Sequence, residues 1–236
     1  DAVNLLRGAW NFLLTFNVFS IYKSGFRPKP LGRVHLGPVH TLHHPDGQLI
    51  DDHIYWYEPN YRGDQEVFVP KNGWDNIERE RRKLMRMLRS RPYRADLESL
   101  FSKYACALDH TDFDVTFLKL WGLLEKMTDT VGQDYKKTID RATWHSRDNE
   151  IDKNLLEYLR LRRNLYVHSA RSSLGPDQVA QKAKTFVDRH LAALVKNQFK
   201  VQSLEEYGKI LDLPRDKEKL TERRRALDRI IKVLES

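Results

Sequence analysis

Apolar positions change their spacing along the chain, and each spacing predicts a different kind of element. Over residues 2–20, Leu5, Leu6, Trp10, Phe12, Leu13 and Phe16 recur at helical intervals, as in an amphipathic helix. Gly25, Pro28, Pro30 and Gly32 then end it and oppose another, since proline lacks an amide proton and glycine gives up most backbone entropy. Over residues 33–57 the texture turns toward strands: Val34-His35-Leu36, then Val39 to His43, then Ile54 to Tyr57. Pro45-Asp46-Gly47 marks a turn, because glycine accepts positive φ there. A small hairpin is therefore predicted, with a third short strand at residues 66–69 and a linker at Pro70 to Gly73.

From Asp75 onward the pattern is helical to the C-terminus. Ile77, Leu84 and Leu88 mark one helix, continued after Pro92 by Leu97, Leu100, Phe101, Tyr104 and Leu108. Phe113, Phe117, Leu120, Trp121 and Leu124 stripe the next, with Asp112 or Asp114 as its N-cap. The polar span 129–153 contains Tyr135, Ile139 and Trp144 and predicts at most a short helix. A leucine-rich helix is expected from Leu155 to Ala170, ended by Ser172, Ser173 and Gly175. Pro176 and Asp177 open another through Val179, Ala183, Phe186, Val187, Leu191 and Leu194. Pro214 precedes a last charged helix with Leu220, Leu227, Ile230, Ile231 and Leu234 as its stripe. The expected fold is mainly α: an N-terminal helix and β-hairpin appendage over 1–74, an up-down helical bundle over 75–200, and a charged helical extension over 201–236. No internal repeat or low-complexity tract interrupts it.

Composition narrows the class. With 236 residues, 40% apolar and 31% charged, the chain can bury a core and does not have the composition of a disordered one. No apolar run is long enough to span a bilayer, so no membrane partner is expected. The run at Phe12 to Phe19 is broken by Asn17 and lacks the basic flank and small-residue cleavage site of a signal peptide. A single Cys106 excludes an internal disulfide framework and fits a reducing cytoplasm. Lying among Phe101, Tyr104 and Leu108, it reads as a buried structural cysteine. Net charge is +8, and much of it is local. Residues 78–94 hold eight Lys or Arg against two Glu, a net +6. Arg79, Arg82, Lys83, Arg86 and Arg89 in this segment suit a polyanion such as RNA, although the same run would also make a solvated helix face.

The chemistry concentrates in Arg163-Asn164-Leu165-Tyr166-Val167-His168. Leu155, Leu156, Tyr158, Leu159, Leu161, Leu165, Tyr166 and Val167 give apolar residues on almost every side of that helix, which predicts that it is mostly buried. A cation, an amide and an imidazole on such a surface are costly unless paired or used. Histidine exchanges protons near neutrality, and arginine binds phosphate oxygens through a planar fork. Together they suggest phosphodiester chemistry; a lone His in line with Leu161 and Leu165 would equally suit a core histidine. Asn164 and His168, four apart, share a helix face, whereas Arg163 and His168, five apart, diverge by about 140°. Convergence then needs the helix to end near His168, or a second copy related by a two-fold axis, which would also supply both a general base and a general acid.

The run Arg163-Asn164-x-x-x-His168 resembles the signature of the HEPN superfamily (higher eukaryotes and prokaryotes nucleotide-binding), and the ApeA-like branch of bacterial antiviral defence in particular. The residues 117–125, with Trp121 and Glu125, resemble the helix that precedes it, and the likeness extends over about residues 75–195. The resemblance implies a HEPN-type bundle, homodimerisation through the helix of residues 155–170, and metal-independent, cofactor-free endoribonuclease activity in a toxin or antiviral setting. It assigns catalytic roles to Arg163 and His168, a supporting one to Asn164, and an acidic contribution to Glu125. Arg162 is a rival for Arg163 and a further RNA-contacting cation. Some members are inactive, so a non-catalytic dimerising module that binds RNA or nucleotide and regulates a partner is the alternative. A third is a metal-dependent nuclease using His35, His40, His43, His44 and His53. No cysteine accompanies these, and adjacent His43 and His44 point to opposite strand faces. Asp109, Asp112 and Asp114 are spaced for capping rather than for Mg²⁺. Tyr55, Trp56, Tyr57 and Tyr61 suit either stacking on unpaired bases or a core or interface.

Overall fold

Two long helices, α4 (Phe113–Met127) and α7 (Pro176–Lys196), make the most extensive packing contact and set the axis of the bundle. A computed structural model of the chain describes residues 2–17, 31–52, 55–58, 61, 73–132, 134–169 and 175–235. These form nine α-helices and one two-stranded ribbon: α1 (Ala2–Asn17), β1 (Val39–Thr41), β2 (Tyr55–Tyr57), α2 (Trp74–Arg89), α3 (Arg94–Leu108), α4, α5 (Tyr135–Ala142), α6 (Asn149–Ser169), α7, α8 (Leu204–Leu211) and α9 (Lys217–Leu234). The protein is mainly helical with a β-hairpin appendage, as the spacing predicts.

Local chemistry sets the helix boundaries. The Asp112 carboxylate accepts from the amides of Asp114 (2.9 Å) and Val115 (3.3 Å), so Asp112 is the cap of α4, and Asp114 lies buried inside the first turn. Asp134 caps α5 in the same way. Pro176 opens α7 just after Gly175, which holds a left-handed φ of 63°. One hydrophobic cluster runs from Ala9 and Phe12 of α1, through Phe101, Tyr104, Phe117, Trp121 and Phe186, to Tyr207 and Leu211 of α8. At the α1–α3 crossing the backbones nearly touch. A Cβ on Gly8 would stand 2.0 Å from the Phe101 carbonyl oxygen, and Phe12 meets the Phe101 ring edge-on at 5.5 Å.

Four departures from the sequence reading have physical causes. Val34 to Leu36 is not a strand, because its backbone is bound by side chains of α1. Asn11 Oδ1 accepts from the amides of Arg33 (2.6 Å) and Val34 (2.9 Å), and Arg7 Nε donates to the Val34 carbonyl (3.2 Å). The hairpin is shorter than predicted, pairing Val39 with Tyr57, His40 with Trp56 and Thr41 with Tyr55 in antiparallel register, with an isolated bridge between His43 and Leu49. The third strand at 66–69 and the end of the first helix near residue 20 fall outside the described residues. Helix α6 begins at Asn149, six residues before the leucine-rich run, and α8 was not anticipated at all.

Candidate functional site on the sixth helix

Helix α6 is not the mostly buried helix that its composition predicts. Leu156 and Leu159 point into the core, with Leu155 packed against it. Ile151, Tyr158, Leu161 and Leu165 are exposed, Leu161 by 52% and Leu165 by 47%. Their order is regular. Ile151, Tyr158 and Leu165 are seven apart, and Asn154, Leu161 and His168 form a second seven-residue series offset by three. That is the spacing of a coiled-coil seam. His168 is exposed in the last turn, at the C-terminal end of this seam, with Asn164 one turn before it.

Arg163 occupies the opposite side of the helix. Its Nη1 donates to the Tyr135 hydroxyl at 2.5 Å, and its guanidinium carbon lies 5.1 Å from the centroid of that ring. Tyr135, in the first turn of α5, meets buried Trp121 of α4 edge-on at 6.3 Å. The Trp121 indole N–H donates to Glu125 at 2.8 Å. The structure thus links Glu125 to Arg163 through Trp121 and Tyr135, without direct contact between them. It does not bring Arg163 and His168 together within one chain. Arg162 flanks the seam, its Nε donating to the Tyr158 hydroxyl at 2.9 Å with the guanidinium over the ring.

The proposed RNA-contacting cations Arg79, Arg82, Lys83, Arg86 and Arg89 are all exposed on α2, spaced along one stripe. Arg79, Arg82, Arg86 and Arg89, with Arg81, line an open groove of about 740 Å³; Lys83 lies outside it. Glu78 bonds Arg81 (2.6 and 2.7 Å) and Arg82 (2.9 Å), and these guanidinium hydrogen bonds hold its carboxyl at about 2. Arg91 and Arg94 are used structurally, on the Val195 carbonyl (2.8 Å) and on Glu98 (2.7 Å). The main packing partners of α2 are α1, α3 and α7, whereas those of α6 are α4, α5 and α7. The stripe and the motif helix are therefore separate features of one bundle.

A polar cluster that spacing did not reveal joins α5, α7 and α8. His190 Nε2 faces the Ala142 carbonyl (3.0 Å), which only accepts, so Nε2 carries the proton and Nδ1 accepts from the Tyr207 hydroxyl (2.9 Å). The Tyr207 oxygen in turn accepts from His145 Nε2 (2.8 Å). Burial pushes His190 down to about 3 and His145 down to about 4, with Arg215 and Arg189 adding repulsion at His145. Burial also raises the Tyr207 hydroxyl. These groups satisfy one another and dock α8. No motif joins His145, in the turn after α5, to His190; the apolar neighbours of His190 in mid-α7 were the sole sequence signal.

The other sequence candidates resolve individually. His35 bonds the Gly32 carbonyl and sits 3.4 Å from Asp109, and His43 bonds Thr41 and Gly47. Among the described residues, no group of three His, Cys, Asp or Glu side chains gathers to hold a metal. Asp109 pairs with Arg7 and Asp112 caps α4, so the aspartates are dispersed in their roles. Tyr55, Trp56 and Tyr57 are strongly exposed and form no part of the described core. Cys106 is half-buried rather than buried, and desolvation raises its thiol. No described helix is long and apolar enough to cross a membrane.

Fold and site together define a mainly helical bundle that carries an exposed apolar seam ending in a histidine. In comparison with known proteins, no family model, no curated protein and no solved structure matches this chain.

Proposed function

We propose that the protein is a metal-independent endoribonuclease, acting as a homodimer through α6, in the toxin or antiviral setting that its HEPN-like motif implies. The observation that carries this reading is the exposed heptad seam of Ile151, Tyr158, Leu161 and Leu165, which runs into His168. An apolar helix face of this kind is stabilised by burial against a partner, and two identical seams are complementary in shape. In a parallel pairing the two His168 side chains meet at one layer. Glu157 and Arg162, five apart on the flanks, then face each other across the interface as opposite charges.

In that cleft one neutral His168 takes the proton of a ribose 2′-hydroxyl as its oxygen attacks the adjacent phosphorus. The other His168, protonated, delivers a proton to the departing 5′-oxygen. The products are a 2′,3′-cyclic phosphate and a 5′-hydroxyl. Arg163, on the α5 side of α6, offsets the charge of a neighbouring phosphate, Asn164 orients His168 from the preceding turn, and the α2 stripe draws in RNA. RNA cleavage that persists in EDTA and is lost in His168→Ala is expected; equal cleavage by the two proteins removes the catalytic assignment.

The divergence of Arg163 from His168 favours a second reading, a dimerising RNA- or nucleotide-binding module without turnover that regulates a partner. It predicts RNA binding and a dimer with no cleavage product in any buffer.

A further inference from the structure

We infer that Tyr135 is a positioning residue that holds the Arg163 guanidinium as a phosphate receptor on the α5 side of α6. The ligand class rests on the RNA reading above; the geometry does not. Arg163 is half-buried, yet among the described residues no carboxylate stands within ion-pair distance of it. Its bonded neighbours are neutral: the Tyr135 hydroxyl at 2.5 Å and, more weakly, the Asn164 side-chain oxygen at 3.5 Å. Three other guanidiniums of similar or greater burial are matched to acids, Arg7 to Asp109, Arg141 to Asp212 and Arg189 to Asp152, whereas half-buried Arg91 bonds backbone carbonyls and Arg162 the Tyr158 hydroxyl of its own helix. A partly desolvated cation whose described neighbours are neutral is an anion receptor, and the planar fork suits phosphate oxygens.

Tyr135 contributes direction rather than charge. Its hydroxyl engages Nη1 and its ring lies beneath the guanidinium, which restrains a side chain with many rotamers. Tyr135 is itself restrained, because its ring abuts Trp121, which is anchored by the indole bond to Glu125. Three helices therefore converge to fix one guanidinium. Residue 135 lies far from the motif in sequence, so nothing in the hexapeptide reveals it. Arg163 diverges from His168 on the helix, so the phosphate it takes is one beside the bond that His168 serves.

The test uses the full chain and a 2′-O-methyl oligoribonucleotide, which binds but cannot be cleaved by 2′-hydroxyl attack. Tyr135→Phe keeps the ring and removes the hydroxyl, and is expected to weaken binding about three- to tenfold, because the lost bond orients Arg163 and does not itself touch the ligand. It is also expected to shift or broaden the Arg163 Nε–Hε signal in an NMR spectrum, with the thermal unfolding midpoint held near wild type. In an Arg163→Ala background the same substitution should add nothing. Unchanged affinity and an unchanged Nε–Hε signal, or an equal loss in the Arg163→Ala background, overturns the proposal. A wild-type protein that binds no oligonucleotide overturns both the RNA reading and the receptor role. Binding by wild type without any cleavage of ordinary RNA removes the nuclease reading alone.

Discussion

His190 and His145 stand with ring centroids 5.2 Å apart, and both are neutral at pH 7 because burial holds them down to about 3 and about 4. In the unfolded chain each titrates near its ordinary value of 6.5. Above that value both states are unprotonated, and the cluster contributes its full stability. As pH falls below 6.5 the unfolded chain takes up protons that the folded one refuses, so stability declines progressively toward pH 4. Urea unfolding midpoints should drop between pH 7 and pH 5, and less steeply in His190→Gln, which no longer has that site to protonate. An equal pH slope in wild type and variant would show that other groups set the acid sensitivity. Tyr207→Phe leaves His190 Nδ1 and His145 Nε2 without their shared partner and should cost about 1–3 kcal/mol at neutral pH. At this scale the sequence was least legible. Arg163 and His168 could be paired as candidates because the two are neighbours in the chain. Tyr135 and the His145–Tyr207–His190 cluster depend on tertiary packing between separate helices, and no spacing encodes that.

Helices were legible wherever an apolar period was long and capped, as in α4 with Asp112 and α7 with Pro176. They were misread where the period was short or polar. Helix α8 is eight residues long with Leu204, Tyr207, Gly208 and Leu211 buried, and the first turn and a half of α6 holds Ile151 as its one aliphatic residue. Periodicity also cannot tell an apolar face that meets the core from one that stays exposed on the single chain, so α6 read as buried. Its exposed seam gives a prediction at this scale. Leu161→Asp with Leu165→Asp should convert a dimer to a monomer in sedimentation equilibrium, because both charges would enter the packed layers. Both positions are exposed in the single chain, so the monomer's own stability should change by no more than about 0.5 kcal/mol. If the doubly substituted protein sediments as wild type does, α6 is not the interface. Helix α9 carries a comparable apolar stripe with no buried residue, which makes the pair a control: Leu227→Asp should leave the α6 association intact.

For the whole molecule, the proposed function assigns attraction to α2 and chemistry to α6, two separate surfaces. The charged stripe of α2 and the seam of α6 pack against largely different helices, with α7 as their shared main neighbour. In an α6 dimer each protomer keeps its own α2 stripe, so two basic surfaces act on one polyanion. The net charge of +8 alone attracts RNA weakly and diffusely, whereas a stripe of five cations concentrates the field. For single-stranded RNA each neutralised phosphate contributes about 0.7 to the slope of log affinity against log salt. Reversing Arg82, Lys83 and Arg86 to Glu should therefore lower that slope by about 2 and weaken binding at low salt. Sedimentation of the reversed protein should match wild type, because none of the three lies on α6. His168→Ala should leave the slope nearly unchanged while removing cleavage, since in this reading the five cations of α2, and not His168, neutralise the phosphates. These two phenotypes are opposite in kind. A charge-reversed protein that keeps the wild-type slope would mark the α2 stripe as a solvated face and move RNA capture elsewhere, whereas loss of the slope together with the dimer would mean that α2 and α6 form one surface after all.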